Sequence, residues 1–359
     1  MSQRWVRLLA AVIAFAVVAY VGIVFFGNFS AEDSANSWAL ISAIALIIAF
    51  IAYAAVEYAQ TRAFSSISHQ FDTRTIVLMP IAIALNIILG QAVAAALKIP
   101  IYLDSIGTIL VGALAGPIPG ALTGFLANIL WTYVVPPPFQ GAVAAPFAIV
   151  AAVIGLLAGL FGRVGWLRPR PDRTYAELAL GAIVALVIVV GLAIYAYTRF
   201  YTTGFAFFGD QADVPFYFVI LGWLIALLFI GFMVGFVALL FVRRDLTVAF
   251  VVVAGVVTGM IAALISAPIS ANLFSGVTGS GTDFLVAAFR SGGSSIGDAV
   301  LQQGLLSDPV DKLVTFFTVY LILNAMARRT KARFPQGERL VEHGGEDDPF
   351  EATMKEATA

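Results

Sequence analysis

The sequence predicts an all-α protein that crosses a lipid bilayer about ten times. Hydrophobic residues make up 61% of its 359 residues and charged residues only 11%, whereas a soluble domain has roughly 25% charged residues. Apolar runs recur along the chain, most of them as long as a membrane-spanning helix of roughly 20 residues. Short polar segments separate these runs. We therefore expect a polytopic membrane protein.

Nine apolar runs predict the membrane helices. The first follows a basic N-terminus, but it is too long for a typical signal peptide and no convincing cleavage site follows it, so we expect a retained span. The fourth run is interrupted and counts as two helices, which gives ten. The runs cover residues 5–26, 38–59, 75–97, 106–133, 143–162, 176–198, 215–242, 247–267 and 309–327.

The interrupted run differs from a plain spanning helix. A polar head at 98–105 is followed by only ten apolar residues, 106–115, before the sequence GPIPG at 116–120 leads into a second apolar stretch. At about 1.5 Å per residue, the first stretch covers only half of a roughly 30 Å hydrocarbon core. The polar head must then dip into the membrane, where irregular backbone is tolerated only if protein or a cavity covers it. We therefore predict a short hairpin at 102–133 that forms a pocket.

The positions of Arg and Lys predict the orientation. They gather at the N-terminus, at 60–74, at 163–174, at 243–244 and after the last span, and the intervening loops are poorer in them. Positively charged loops stay on the cytoplasmic side. With ten helices, all the basic loops fall on one side, so both termini are predicted to be cytoplasmic. The outer face then receives 98–105, 134–142 and 268–308.

The chain divides into a core in two parts and several additions. The connection at 268–308 alternates Gly/Ser-rich turns with short apolar runs, and such long connections are often functional. We interpret it as a folded extracytoplasmic lid. The units are 1–70 with two extra N-terminal helices, 71–169 as the first part of the core, 170–245 as an inserted helix pair, 246–334 as the second part of the core with the lid, and 335–359 as a disordered cytoplasmic tail.

Polar residues at the predicted outer mouth are candidates for a small-molecule site. Asp104 and Ser105 either cap the following helix or meet a ligand. Asn128 lies on a polar face of the second leg, and Trp131 either stacks on a ring or anchors at the membrane boundary. Arg290 lies in an apolar stretch and is expected to pair with a carboxylate or to meet an anionic group. The predicted site residues are Lys98, Tyr102, Asp104, Ser105, Asn128, Trp131, Asn272, Asp283 and Arg290.

The sequence SDPVDK at 307–312 is interpreted as a helix start. Asp308 is expected to be the cap, with Pro309 in the first helical position and Asp311 near the positive end of the helix dipole. The dipole opposes Lys312, so this residue is expected to pair with Asp311.

The helix at 75–97 carries a stripe of small residues spaced four apart on one face. Such stripes let helix backbones approach closely in lipid. The stripe predicts either packing within this chain or docking of a separate membrane subunit. Asn86 and Gln91 are amides inside this helix and are expected to bond a neighbouring helix or to line a pocket. The stripe consists of Ala82, Asn86, Gly90 and Ala94.

Motifs of enzymes and metal proteins are missing from the sequence. The chain has no cysteine, and both of its histidines lie in polar segments, which excludes thiolate metal sites and cysteine nucleophiles. The phosphate-binding loop, HExxH and GxSxG motifs are absent. We predict no enzyme, no cofactor, no metal and no nucleic-acid partner. An intramembrane enzyme would have to use Asp104, Asn128 or Asp283. A chain of intramembrane carboxylates is also not expected, so the protein shows no energy source of its own.

The core resembles the substrate-specific (S) component of energy-coupling factor (ECF) transporters, the vitamin-uptake branch of the ABC transporters. Together with three further helices, the matching segments would supply a six-helix core over a little more than half of the chain. The two N-terminal helices and the insertion are not typical of the family. The segments that carry the resemblance are YLDSIGTI at 102–109, GPIPGALTGFLAN at 116–128, SAPIS and FSGVTGSGTD within 266–283, and DPVDKLVTFFTVYLILNAMARR at 308–329.

The resemblance implies a binding protein in a prokaryotic cell membrane that captures a vitamin or similar metabolite at the outer face. Transport would require a separate transmembrane coupling subunit and two cytoplasmic ATPases. In the family the first core helix docks the coupling subunit, and the small-residue stripe matches that role, although Asn86 departs from a strict alanine pattern. The alternative is a membrane sensor or accessory subunit that reuses this core without transport. A pocket of amides and aromatic rings with few net charges suits a neutral or zwitterionic heterocycle.

Overall fold

A computed structural model describes residues 3–26, 34–92, 101–171, 173–202 and 216–341. These residues are predominantly helical and contain no strand. Five of their helices are long and apolar enough to cross a membrane. The chain is therefore an all-α membrane protein, as predicted, and the total of ten spans stays a prediction. The five helices are Val6–Phe25, Ser34–Thr61, Thr73–Gly90, Ala145–Arg163 and Thr247–Phe274.

Thirteen α-helices follow one another in the described residues. A π-helical turn, Gly22–Phe26, extends the first, and short 3-10 turns occupy Ala145–Phe147 and Gly337–Leu340. The helices are α1 (Gln3–Val21), α2 (Ser34–Thr61), α3 (Ser65–Ser68), α4 (Thr73–Gly90), α5 (Ile106–Ala115), α6 (Pro117–Tyr133), α7 (Ala148–Arg163), α8 (Tyr175–Thr202), α9 (Phe216–Arg243), α10 (Thr247–Phe274), α11 (Asp283–Ser291), α12 (Ile296–Ala325) and α13 (Arg328–Ala332).

The broken hairpin is confirmed in α5 and α6. Only Gly116 separates the two helices, and its φ of +129° is a conformation that residues with a side chain rarely adopt. Pro117 suits the first position of α6, where no N–H donor is needed. Every residue of α5 except Leu110 is buried. This short helix is therefore enclosed by protein rather than by lipid.

Glycines bring α6 and α7 into close contact. A Cβ atom on Gly155 would lie 2.1 Å from the carbonyl oxygen of Gly120, and one on Gly124 would lie 2.3 Å from that of Ala151. No side chain fits at such distances, so the two backbones approach as small residues allow in membrane helices. This contact fixes the separation of two helices that line the cavity described below.

The small-residue stripe of α4 packs against α5. Ala82 and Asn86 are each 2% exposed, and a Cβ atom on Gly107 would lie 2.3 Å from the carbonyl oxygen of Ala82. The Asn86 amide donates to Thr108 Oγ1 at 2.8 Å and accepts from the Gly107 N–H at 2.7 Å. This is the predicted alternative of packing within the chain, and α5 covers the surface that a coupling subunit would contact. Ala94 lies outside the described residues.

The last long helix begins earlier than predicted. α12 starts at Ile296 rather than at residue 309, and Ser295 caps it by accepting a hydrogen bond from the backbone N–H of Asp298, the third residue of the helix. The interpretation of Asp308 as a cap and of Pro309 as the first helical residue is therefore wrong. Pro309 lies in the helix interior, with its α-carbon against the backbone of α10, where a Cβ atom on Gly259 would lie only 2.4 Å away. The middle of this helix consequently holds Asp308, Asp311 and Lys312.

The lid predicted at 268–308 is folded, but it is shorter than expected. α10 continues to Phe274 and α12 begins at Ile296, so the connection between them covers only 275–295. α11 lies within this connection, and its Phe289 is buried in a small apolar cluster with Val300 of α12. The helices on either side take up the rest of the predicted lid.

The first part of the predicted disordered tail is ordered. The backbone N–H of Gln336 donates to the carbonyl oxygen of Leu114, at the end of α5, at 2.8 Å. Arg339 donates to the carbonyl oxygen of Arg163, at the end of α7, at 2.7 Å. Residues 335–341 therefore pack against the end of the hairpin, and 342–359 lie outside the described residues.

Candidate ligand-binding site

A cavity of about 340 Å³ lies at one end of the bundle. At this end α4, α6 and α10 finish and α5, α7 and α12 begin. The connections 101–105, 134–144 and 275–282 complete its lining. Each of them overlaps a segment that the sequence predicts at the outer mouth. Small-molecule sites commonly have volumes of roughly 300–1,000 Å³.

Six of the nine predicted site residues line this cavity. Asn272 does not, because it is exposed and donates to the carbonyl oxygen of Pro268 at 2.7 Å. Arg290 is also exposed, and it donates to the carbonyl oxygen of Ser294 at 3.2 Å rather than to a carboxylate. Lys98 lies outside the described residues. The six lining residues are Tyr102, Asp104, Ser105, Asn128, Trp131 and Asp283.

A buried ammonium group lies at the inner end of the cavity. Lys312 is 4% exposed, and its Nζ donates to Asp311 Oδ2 at 2.5 Å and to Ser105 Oγ at 2.8 Å. The same nitrogen is 3.6 Å from Asp104 Oδ1. A buried charge is tolerated when it is paired and hydrogen-bonded. The predicted pairing of Lys312 with Asp311 is confirmed, whereas Ser105 makes no capping bond and instead accepts from this lysine.

Asp311 ties α12 to the irregular segment in front of α5. Its Oδ1 accepts hydrogen bonds from the backbone N–H groups of Tyr102, at 3.0 Å, and Leu103, at 2.8 Å. Leu103 has a φ of +52°, which is uncommon for a residue with a side chain. The carboxylate of Asp311 is fully buried. It therefore supplies the acceptor that these buried N–H groups need in place of water.

Asp308 presents a second carboxylate one helical turn before Lys312. The residue is 7% exposed and lines the cavity. Its two oxygens accept only long hydrogen bonds, from Ser307 Oγ at 3.3 Å and from Ser266 Oγ at 3.4 Å. Within the described part of the chain, no basic side chain forms an ion pair with it. Asp308 therefore has acceptor capacity that the protein leaves unused.

Asn128 lines the cavity from α6, as predicted. It is 7% exposed, and its amide makes no hydrogen bond to any residue that the structure describes. Its neighbours on the polar face, Thr123 and Thr132, instead donate to backbone carbonyl oxygens at 2.7 Å. Of these three side chains, only Asn128 is available to a ligand.

Trp131 forms one wall of the cavity. Its Nε1 donates to the carbonyl oxygen of Phe139 at 3.0 Å. A Cβ atom on Gly90 would lie 2.6 Å from the ring, and one on Gly141 would lie 2.7 Å from it. The ring is therefore held between α4 and the 134–144 connection. This position favours the predicted contact with a ligand over a role as a membrane anchor.

Tyr102 and Asp283 organise the outer rim. The Tyr102 hydroxyl and Thr282 Oγ1 are hydrogen-bonded at 2.7 Å, which joins two of the connections. Asp283 accepts from the backbone N–H groups of Thr278 at 2.9 Å and Gly279 at 2.6 Å. Its carboxylate therefore shapes the turn above the cavity.

Among the polar lining residues that the sequence interpretation missed, three lie on α12. Gln303, Asp308 and Lys312 line the cavity because the helix begins before them rather than among them. The four-residue spacing of Asp308 and Lys312 was the available signal, since such residues share one face of a helix. The expectation that the spans lack buried carboxylates is likewise wrong for α12, which buries Asp308 and Asp311.

Comparison of the chain with protein-family models, with curated proteins and with solved structures gives no match. The resemblance to ECF S components therefore stays a hypothesis, and the site is interpreted from its own geometry.

Proposed function

We propose that this chain is the membrane-embedded substrate-binding subunit of an ECF-type importer. It captures a vitamin-sized metabolite at the outer face and depends on a transmembrane coupling subunit and two cytoplasmic ATPases for uptake. The observation that carries the proposal is the cavity of about 340 Å³, on which three connections expected at one membrane face converge.

The chemistry of the cavity supports ligand binding. Its wall includes Trp131, Phe147 and Ile154, and its inner end carries Asp308 and Lys312. Small-molecule sites commonly combine an apolar lining with a few placed polar groups. Ionisable residues within a membrane protein are costly and are associated with function. Ligand binding therefore explains this lining better than packing of the helices does.

The distribution of the lining supports a six-helix binding core. Among the described residues, the helices that supply lining residues are α6, α7, α10 and α12, together with the start of α11; Gln91, directly after α4, and Ser105, directly before α5, complete the set from the six helices. The described residues of the N-terminal pair α1 and α2 and of the inserted pair α8 and α9 supply none of the lining. These four helices are the ones that the resemblance to ECF S components treats as additions to the core.

Charge asymmetry supports an outward-facing mouth. Arg74 near the start of α4, Arg163 at the end of α7 and Arg328 after α12 lie at the opposite end of the bundle from the cavity. Positively charged segments remain cytoplasmic. The cavity would then open on the outer side, where a nutrient is captured.

One observation favours a second function, that of a membrane sensor or accessory subunit. The stripe that resembles a docking surface is covered by α5, with Ala82 and Asn86 each 2% exposed. A coupling subunit would therefore have to bind another surface. A sensor would use the same cavity but would not associate with ATPases.

Native mass spectrometry of the detergent-purified chain tests the proposal. We expect a bound small molecule in the unmodified protein and in Leu156→Ala, a change at a partly exposed position of α7. Asn128→Ala should lose the molecule, because it removes a lining amide that makes no hydrogen bond to any described residue and is available to the ligand. Unmodified protein that neither carries nor binds any small molecule would contradict ligand binding.

Isolation in mild detergent separates the two functions, because an importer co-purifies with paired ATPases and a sensor does not.

A further inference from the structure

Acidic groups outnumber basic groups around the cavity. In the described part of the chain, Lys312 is the one basic residue in the lining, and no arginine or histidine joins it. Lys98 lies outside the described residues, and counting it as well would still leave twice as many carboxylates as ammonium groups. The four carboxylates are Asp104, Asp283 and Asp308 in the lining and Asp311 directly behind it.

The Lys312 ammonium group is already engaged by oxygens of the protein. Lys312 has three N–H donors, and its Nζ lies 2.5 Å from Asp311, 2.8 Å from Ser105 and 3.6 Å from Asp104. It donates hydrogen bonds to Asp311 and Ser105, and a ligand carboxylate or phosphate beside it would lie close to the carboxylates of Asp311 and Asp104. Such a ligand would also meet the charge of Asp308, which disfavours a second negative group nearby.

The acceptors that remain suit a hydrogen-bond donor. Asp308 makes only contacts of 3.3 and 3.4 Å within the protein. Gln303 uses its amide nitrogen to donate to Ser307 at 2.6 Å, which leaves its carbonyl oxygen as an acceptor. Asn128 is 7% exposed, lines the cavity and makes no hydrogen bond to any described residue, which is an independent sign that a ligand belongs here. An alkylammonium group offers up to three donors and no acceptor.

The rest of the lining favours an organic cation over a metal ion. Among the described residues, no three His, Cys, Asp or Glu side chains are placed to hold a metal ion. Tyr102, Trp131 and Phe147 line the cavity and present aromatic rings. Aromatic faces attract organic cations as well as other rings.

From these observations we infer that the cavity binds a small organic cation, a protonated amine joined to an aromatic or heteroaromatic ring, with the amine at Asp308. This inference rests on the proposed binding function and deepens it. It replaces the neutral or zwitterionic heterocycle expected from the sequence, because that expectation did not include the carboxylates of α12.

Charge-matched probes test the inference on the purified full-length chain. Tryptamine, tyramine and 4-(aminomethyl)pyridine are each compared with the N-acetyl derivative and with a carboxylate of similar length, by thermal unfolding in detergent. We expect at least one amine to raise the melting temperature while its acetylated and carboxylate counterparts do not. Asp308→Asn, which keeps the size of the side chain, should weaken the binding of that amine by about tenfold or more. Glu177→Gln, on an exposed turn of α8, should leave binding unchanged.

The outcomes separate this inference from the proposed function. Stabilisation by acetylated or carboxylate probes as strong as by amines would overturn the cationic class and leave the binding function intact. Full amine binding in Asp308→Asn would overturn the placement of the amine. The selectivity of the unmodified protein needs no variant and decides the class even if Asp308→Asn does not fold. If no probe binds, a co-purified molecule with a cationic group supports the inference and one without it overturns the inference. Absence of both probe binding and any co-purified molecule would overturn the proposed function, and the inference with it.

Discussion

Lys312 and Ser105 lie 207 positions apart in the chain and are joined by a hydrogen bond of 2.8 Å. The lysine belongs to the middle of α12, and the serine directly precedes the short helix α5. Asp311 strengthens the same junction by accepting from the backbone in front of α5. The inner end of the cavity is thus built where the two predicted parts of the core meet.

We expect Lys312→Met to lower the free energy of unfolding by about 3–5 kcal/mol, because it leaves buried carboxylates without a cation. Asp311→Asn combined with Lys312→Met should recover part of this loss. The asparagine oxygen can still accept from the backbone, and no charge remains at either position. Denaturant unfolding in detergent measures both variants. Glu177→Gln is the control, since its ion pair with Arg173 is exposed. Equal losses in the single and double variants would show that the Lys312–Asp311 pair contributes nothing specific.

Gly155→Ala should destabilise the contact between α6 and α7 by about 1–3 kcal/mol, because the added methyl group would overlap the backbone of Gly120. Gly191→Ala is the matched control in α8, where no atom lies within 4 Å of the added carbon. That substitution should be neutral or slightly stabilising, since alanine favours helices. Thermal unfolding of both variants measures the difference. A neutral Gly155→Ala would mean that these helices are farther apart than described.

Trp131→Phe should loosen the connection at 134–144. The substitution keeps an aromatic ring but removes the hydrogen bond to the carbonyl oxygen of Phe139, a loss of about 1 kcal/mol. Hydrogen exchange followed by mass spectrometry should therefore show faster exchange in this segment. Tyr133→Phe also removes one hydrogen bond, an exposed one to Asn36, and should leave the exchange unchanged. Identical exchange in all three proteins would show that Trp131 does not hold the connection.

Asn86→Ala should lower the free energy of unfolding by about 2 kcal/mol or more, because the Gly107 N–H and the Thr108 hydroxyl lose their buried partner. Ile88→Ala, on the exposed face of the same helix, should change stability less, since Ile88 is 64% exposed. Unfolding in detergent compares the two variants. If Asn86→Ala instead keeps full stability and loses association with a membrane partner, the stripe is a docking surface.

The hairpin was predictable because its signals are local. Gly116 and Pro117 interrupt an apolar run, and both residue types have well-defined backbone preferences at such a turn. Ile106–Ala115 is too short to cross a membrane, so the sequence predicts that protein covers this helix. The helix is buried in the structure, in agreement with that prediction. The three connections around the cavity were predicted to share one membrane face, because loops rich in Arg and Lys alternate with loops that are poor in them.

The start of α12 was not predictable in the same way. Asp308 followed by Pro309 has the pattern of a helix start, and local sequence favours that interpretation. The helix continues through this point because contacts distant in sequence stabilise it. Gly259 of α10 leaves room for Pro309, and the segment before α5 supplies donors to Asp311. No local sequence pattern contains this information. The carboxylates of α12 were therefore not predicted at the cavity.

The junction between Lys312 and Ser105 also has a consequence for biogenesis. A ribosome adds roughly 5–20 residues per second, so the 207 positions between the two residues correspond to roughly 10–40 s of synthesis at that rate. Throughout this interval Asp104 and Ser105 lack the ammonium group that they contact in the folded protein. A chain released before residue 312 keeps that defect permanently.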